Sequence, residues 1–383
     1  MRGKYLSTFA LFFLISLQCT TIVAQGNSED KPRAISTAVP FLTISPESRG
    51  GGMGDAGVAS SPDMNSQYLN PAKYAFIEGD MGASVSFTPW LRKLVNDINM
   101  FYGAYYIRLD KMQTVSASIR YFDLGDIAYT NQLGDVTNNG KPNEFAIDAA
   151  YSRVLSDKVS GAVAFRYIRS DLTNGVTDDG SINDPGNAFA ADIAFYYNTR
   201  TKIGKKKSDI SAGVNISNIG SKISYDGGTN KQFLPTNLKI GAGYATEIDR
   251  YNSIAFVLDF NKLLVPTPQI LEEGEEDPNK DISVISGIFK SFGDAPGGFQ
   301  EELQEINISV GAEYWYNKQF AMRAGYYHQH ENKGNRKYAT AGLGLKFTMF
   351  TLDASYIIPV VQGNALANTM RFSLSFDLDE LRK

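Results

Sequence analysis

The sequence predicts an all-β chain that closes into a transmembrane antiparallel β-barrel of about fourteen strands. Three observations carry the prediction. The amino terminus reads as an export signal. From residue 80 onward, segments of about ten residues alternate apolar with small polar side chains. The connections between those segments are short and long by turns.

Arg2 and Lys4 form a positive start, and the run from Tyr5 to Leu17 supplies an apolar core. Ile22-Val23-Ala24 then offers a small residue for cleavage before Gln25. A retained anchor is the alternative, against which the shortness of the apolar run speaks. Cys19 follows Ser16-Leu17-Gln18, a poor lipoprotein signal, so the sole cysteine is expected to leave with residues 1–24. Losing Arg2 and Lys4 takes the net charge from −4 to −6, which gives no electrostatic footprint for nucleic acid. Past the signal, no stretch approaches the roughly 18 apolar residues that a membrane helix needs. A mean hydropathy of −0.23 with 12% aromatic residues suits barrel strands, which hide their apolar residues in alternation.

The strand segments lie near 80–88, 99–109, 113–122, 144–154, 159–170, 187–197, 209–219, 235–246, 251–261, 305–315, 319–328, 338–347, 350–358 and 369–377. In 113–122, Val115, Ala117, Ile119 and Tyr121 share one face, and Thr114, Ser116, Ser118 and Arg120 share the other. In 305–315, Ile306, Ile308, Val310, Ala312 and Tyr314 oppose Asn307, Ser309, Gly311 and Glu313. Segment 99–109 is ambiguous, because Phe101, Tyr102, Tyr105 and Tyr106 put aromatics on both faces. A soluble sandwich would also alternate, but its polar face would carry many charges to meet water. Here that face is Ser, Thr, Gly, Ala and Asn, with roughly one charge per strand.

Short connections at 110–112, 156–158, 247–250, 316–318 and 348–349 alternate with long ones at 123–143, 171–186, 220–234, 262–304 and 359–368. In an outer-membrane barrel the short turns are periplasmic and the long loops extracellular, which puts both termini in the periplasm. One connection breaks the rule. Residues 198–208 should form a tight turn, yet the segment reads as a long loop carrying Lys202, Lys205, Lys206 and Lys207, either solvated or in contact with a periplasmic partner.

Parity turns Arg120, Asp148, Arg166, Asp192, Lys239, Asp259, Glu313, Arg323, Lys346, Asp353 and Arg371 toward the lumen. An ion-selective pore tends to line its constriction with one sign of charge. These mixed signs can pair with one another and with an internal plug, so an occluded barrel is expected rather than an open one.

Residues 25–79 precede the first strand without strand alternation and are expected to form that plug, with the barrel occupying 80–383. Small residues dominate from Gly50 to Ser61, which permits close backbone packing. Asn70-Pro71 favours a turn, and Pro71 can open a short helix. Gly52-x-Gly54-x-x-Gly57 matches the dinucleotide fingerprint by letter, but no βαβ unit surrounds it; close packing explains it better.

The Gly-rich stretch, Asp63 and Asn70-Pro71-Ala72 ahead of the first strand resemble the N-terminal hatch of FadL-type barrels, a fourteen-strand family. Within it, Phe41-Leu42-Thr43-Ile44, Arg49-Gly50-Gly51-Gly52-Met53-Gly54-Asp55, Asn70-Pro71-Ala72-Lys73-Tyr74-Ala75-Phe76 and 89–98 look most like the PorV-type branch of the type IX secretion system. The resemblance covers the mature chain in architecture and residues 38–98 in specific motifs. It implies hatch positions at Arg49, Gly52, Gly54, Asp55, Asn70, Pro71 and Ala72. It also implies a function: binding the C-terminal signal domain of secreted cargo at a SprA-type translocon and carrying it to a PorU-type attachment complex, with no enzymatic chemistry and no cofactor.

Candidate chemistry elsewhere is thin. His328 and His330, near Glu331, lack further ligands at a metal-binding spacing, and a Ser-His hydrolase would need its histidine in the wall. Asp135 to Gly140 begins like a calcium loop, but its twelfth position is Ala146. Asp178, Asp179 and Asp184 read as solvated turns. Long loops on a rigid barrel are where a partner should dock. The first offers Trp90, Leu91, Leu94 and Val95, expected to be exposed, with Trp90 alternatively in the interfacial aromatic girdle. Loop 262–304 offers an acidic run at 272–277, then an apolar stretch over 282–292 containing Ile288 and Phe289, expected as a short amphipathic helix. A FadL-like transporter of hydrophobic molecules is the rival function, and an open diffusion pore is disfavoured.

Overall fold

The computed structural model describes residues 33–130, 133, 135–172, 184–269, 275, 278–361 and 366–379. The expected signal, Cys19, Asp178, Asp179 and all of the acidic run except Glu275 lie outside the described residues.

Among the described residues sixteen strands run in chain order: β1 (Met81–Pro89), β2 (Asn99–Arg108), β3 (Gln113–Asp123), β4 (Ile127–Thr130), β5 (Val136–Gly140), β6 (Asn143–Ser156), β7 (Val159–Asp171), β8 (Gly186–Ile203), β9 (Lys206–Gly220), β10 (Asn237–Glu247), β11 (Asn252–Leu263), β12 (Asn307–Tyr316), β13 (Phe320–His328), β14 (Lys337–Lys346), β15 (Phe350–Pro359) and β16 (Met370–Asp377). Fourteen of them, all but β4 and β5, close into an antiparallel barrel in which β1 pairs with both β2 and β16. Closure leaves the wall without a free edge, so the backbone polar groups find partners where no water reaches. Among the described residues no helix is long and apolar enough to cross a membrane.

The period-2 alternation sorts the side chains as expected. Val85, Phe101, Ile119, Ile147, Phe165, Phe189, Ile193 and Val310 are exposed on the outside. Ser84, Ser86, Thr114, Ser116, Ser118 and Ser160 are buried on the inside. The ambiguous strand β2 divides the same way: Phe101 and Tyr105 point out, Tyr102 and Tyr106 in.

Two connections differ from expectation. Residues 198–208 form no long loop; β8 and β9 continue as a two-stranded ribbon to a tight turn at Gly204, whose φ of +66° suits glycine. Past the end of β7 the ribbon has no neighbour on that side, and Lys202, Lys205, Lys206 and Lys207 are exposed on it. Within 123–143, β4 and β5 pair as a separate hairpin, so the stretch that began like a calcium loop is partly a strand.

Residues 33–79 traverse the lumen. Their start sits at the long-loop mouth, where the Arg33 N–H donates to Asn332 O (2.8 Å) and Ala38 N–H to Phe233 O (3.0 Å). Their end sits at the short-turn mouth, where Tyr74 stacks on Tyr106 and the Asp80 and Met81 N–H groups donate to the Asp379 carboxylate (2.9 Å each). The two ends of this segment, Arg33 and Gly79, therefore lie at opposite mouths. Having entered at one rim, a segment of this length reaches the first strand only by crossing the barrel.

Candidate functional site

Glycines and small side chains let the traversing segment touch the wall directly. A Cβ on Gly325 would lie 2.1 Å from Gly54 N, and one on Gly213 2.2 Å from Val58 O, so those wall positions admit no side chain. Gly54 itself, at φ +71°, lies against the backbone of Tyr326. The resemblance to a dinucleotide loop thus reduces to close backbone packing. Thr340 Oγ1 accepts from Gly54 N–H and donates to Gly52 O (2.9 Å each).

The polar residues of the segment meet inward charges of the wall. Arg49 forms a forked pair with Glu313 (2.9 and 2.8 Å) and also reaches Asp63 (2.7 Å). Arg323 bridges Glu313 and Asp353 (2.7 Å each). Arg166 holds Asp148 (2.9 Å) and Asp192 (3.0 Å), and Gln67 Nε2 donates to Asp148 (2.7 Å). Asp259 accepts from Gly57 and Val58 N–H (2.7 and 2.9 Å). Asp55 faces Arg371 at 3.0 Å and accepts from the Tyr338 hydroxyl. Of the eleven charges assigned to the lumen by parity, nine are buried; Lys239 is half-buried in the mouth, and Lys346 is exposed at the short-turn rim.

Asn70 anchors the far end of the segment. Its Oδ1 caps the short helix Pro71–Phe76 by accepting from Ala72 N–H (3.0 Å), and its Nδ2 donates to Val58 O (2.9 Å) and Phe195 O (3.0 Å). Pro71 O and Ala72 O accept from the wall hydroxyls of Ser152 and Ser160 (2.8 and 2.7 Å). The motif residues Arg49, Gly52, Gly54, Asp55, Asn70, Pro71 and Ala72 therefore all touch the wall or brace the segment against it.

Burial pushes the Glu47 carboxyl up to about 7, with Asp63 adding to the rise, although Arg49 and Gly50 N–H donate to it. Burial also raises Asp63, but Lys73 and Arg49 outweigh it and hold that carboxyl below the ordinary range. Lys73 is fully buried and donates to Gly57 O (3.1 Å) and Ser60 Oγ (3.0 Å); burial lowers its pKa. These groups act as braces within the chain.

The long-loop mouth is built differently. A cavity of about 480 Å³ opens there above the segment, walled by Phe41, Ile44, Trp90, Phe122, Leu124 and Leu366, with Lys239, Asn261, Asn307, Arg336 and Arg371 among its polar lining. Trp90 is only 8% exposed and packs into the apolar cluster with Phe41, Met100 and Phe122, which corrects the expectation of an exposed loop tryptophan. Leu91 is half-buried beside it, whereas Leu94 and Val95 are exposed. An aromatic residue in a loop carries no sign of what lies beneath it; here the traversing segment does.

Loop 264–306 contributes two short helices, Val284–Lys290 and Phe299–Gln304. A buried charge cluster fixes the second. Lys262 reaches Glu302 (3.0 Å) and Glu305 (2.6 Å), Lys333 reaches Glu301 (2.6 Å) and Glu305 (2.9 Å), and Arg33 reaches Glu301 (2.9 Å). Sequence pattern alone carries no sign of this cluster, because its members are scattered through strand, loop and amino-terminal segment. Phe289 is 74% and Phe299 76% exposed, with Ile285, Phe292 and Leu303 also exposed; Ile288 is half-buried. Five large apolar side chains are thus exposed on this one loop.

His328 ends β13, and His330 caps the turn Glu331–Lys333 by accepting from Asn332 N–H (3.3 Å). Among the described residues no group of three or more His, Cys, Asp and Glu side chains is placed to hold a metal ion.

Residues 27–270 match the sequence profile of the family described as type IX secretion system protein PorV. No curated protein sequence matches the chain. Among solved structures, the chain is similar to the Pseudomonas putida toluene transporter TodX at 11% identity and a TM-score of 0.49, covering 90% of this chain and 98% of that one. It is also similar to a Pseudomonas aeruginosa FadL homologue at 12% identity and a TM-score of 0.44, covering 90% and 99%.

Proposed function

The chain belongs to the PorV family of type IX secretion system proteins, and we propose that it is an outer-membrane adaptor without enzymatic chemistry. In this reading it binds the C-terminal signal of secreted cargo at a SprA-type translocon and passes the cargo to a PorU-type attachment complex. Residues 25–79 act as its hatch and 80–383 as its barrel. The short turns face the periplasm and the long loops face outward.

One observation supports an adaptor over a channel most strongly: buried ion pairs and backbone contacts tie the traversing segment to the wall around the lumen. A conducting pore would have to break them. What remains for a partner is the long-loop mouth, with its cavity and the exposed apolar side chains of loop 264–306. Co-purification from native membranes tests the reading. It predicts a translocon subunit and secreted proteins in the pull-down; their absence overturns it.

The apolar walls of the mouth cavity favour a second reading, a transporter of hydrophobic small molecules. It predicts uptake of such a molecule into reconstituted vesicles, whereas the adaptor reading predicts none.

A further inference from the structure

Across the inner wall at the long-loop mouth, Lys239 on β10, Asn261 on β11 and Asn307 on β12 are direct cross-strand neighbours and form one polar row. All three line the mouth cavity. Lys239 makes no ion pair among the described residues; its Nζ lies 4.7 Å from the centre of the Tyr68 ring, which Arg120 also approaches at 4.8 Å. Asn261 Oδ1 and Asn307 Oδ1 are buried acceptors with no donor. Arg371, also in the lining, is 1% exposed, and its Nε and Nη1 have no acceptor in hydrogen-bonding geometry, although Asp55 lies 3.0 Å away. The lining holds the cations Lys239, Arg336 and Arg371 against the single carboxylate Asp55.

Buried polar groups without partners are costly, and a ligand that satisfies them gains by it. The excess positive charge calls for an anion. The two orphaned amide oxygens call for N–H donors. The apolar walls call for an apolar body. A fatty acid meets the first and third needs and has no N–H group. A polypeptide end meets all three: a terminal carboxylate, backbone N–H groups and side chains.

We propose that the mouth cavity receives the carboxyl-terminal end of a polypeptide. Its free carboxylate sits between Lys239 and Arg371, its backbone N–H groups donate to Asn261 and Asn307, and its last side chains lie against Phe41 and Trp90. This assignment rests on the adaptor reading above and specifies which chemical end of the cargo signal is held, and where.

The test uses the full chain in detergent micelles and a short fluorescein-labelled peptide with the carboxyl-terminal sequence of a secreted cargo, made with a free carboxylate or as its amide. Fluorescence anisotropy is expected to show binding of the acid form and a loss of at least about tenfold for the amide. Lys239→Gln is expected to weaken the acid form by a similar factor and to leave the amide nearly unchanged. Decanoate is expected to compete poorly. Equal binding of acid and amide, or no binding of either, overturns the assignment, as does decanoate competing as well as the peptide. The intact cargo signal domain is measured alongside. Binding of that domain with no acid preference in the peptide sinks this site alone, whereas failure of the domain to bind sinks the adaptor reading.

Discussion

Arg49 of the traversing segment and Glu313 of β12 form a two-pronged buried ion pair, and Arg323 and Asp63 extend it on either side. The pair ties the glycine-rich stretch to the wall. Glu313→Gln leaves two buried guanidinium groups short of charge, and breaking such a pair typically costs about 3–5 kcal/mol. Hydrogen exchange is expected to rise across residues 48–63 while the strands keep their protection. Combined with Arg49→Met, the loss should fall short of the sum of the single losses, as expected for partners in contact. Additive losses would mean that the pair does not hold the segment.

Wall glycines give a second handle. Gly325 faces Gly54 so closely that a valine there must displace the segment, although valine suits a strand. Gly103 is the control, since its nearest neighbour to an added Cβ is 3.5 Å away. Gly325→Val should expose residues 50–60 to protease while the barrel keeps its heat-modifiable migration, and Gly103→Ala should do neither. Protection equal to that of the parent in Gly325→Val would contradict the packing.

The buried Glu47 predicts a pH dependence. Its carboxyl titrates at about 7 in the folded chain against an ordinary value of 4.5, so the fold favours its neutral form. A raised carboxylate contributes stability fully below the unfolded value and loses it as pH rises through the folded one. Exchange protection of residues 45–52 should therefore decline between about pH 5 and pH 8. Glu47→Gln, whose amide oxygen can still accept from Gly50 N–H, should flatten that decline. An unchanged slope would assign it to another group.

The side chains of Phe289 and Phe299 stand mostly clear of the fold. Replacing both by serine should leave barrel assembly intact and reduce recovery of translocon and cargo by about tenfold or more, since exposed aromatic anchors dominate contact surfaces. Undiminished recovery would place the contact elsewhere on the long-loop mouth.

Much of this was legible in the sequence, for a physical reason. A barrel wall meets lipid outside and a polar filling inside, so period-2 alternation places strands and orients residues such as Ile119 and Arg120 with little further information. That logic fails where the wall leaves its two-sided environment. The β8–β9 ribbon projects past β7, loses its apolar face and reads as a lysine-rich loop. Trp90 lies under residues far away in sequence. The path of residues 33–79 left no periodic trace, because a glycine-rich chain packs through its backbone. The Lys262, Glu305 and Lys333 cluster exists only once strand, loop and turn have met.

Site-specific photocrosslinking in intact cells tests the central claim most directly, with the reactive group placed at Phe289 on the long-loop side or at Lys205 on the ribbon. If this chain is a plugged adaptor that works through its long-loop mouth, Phe289 gives adducts with translocon subunits or secreted cargo and Lys205 gives none with cargo. Cargo adducts at Lys205 and none at Phe289 would contradict it.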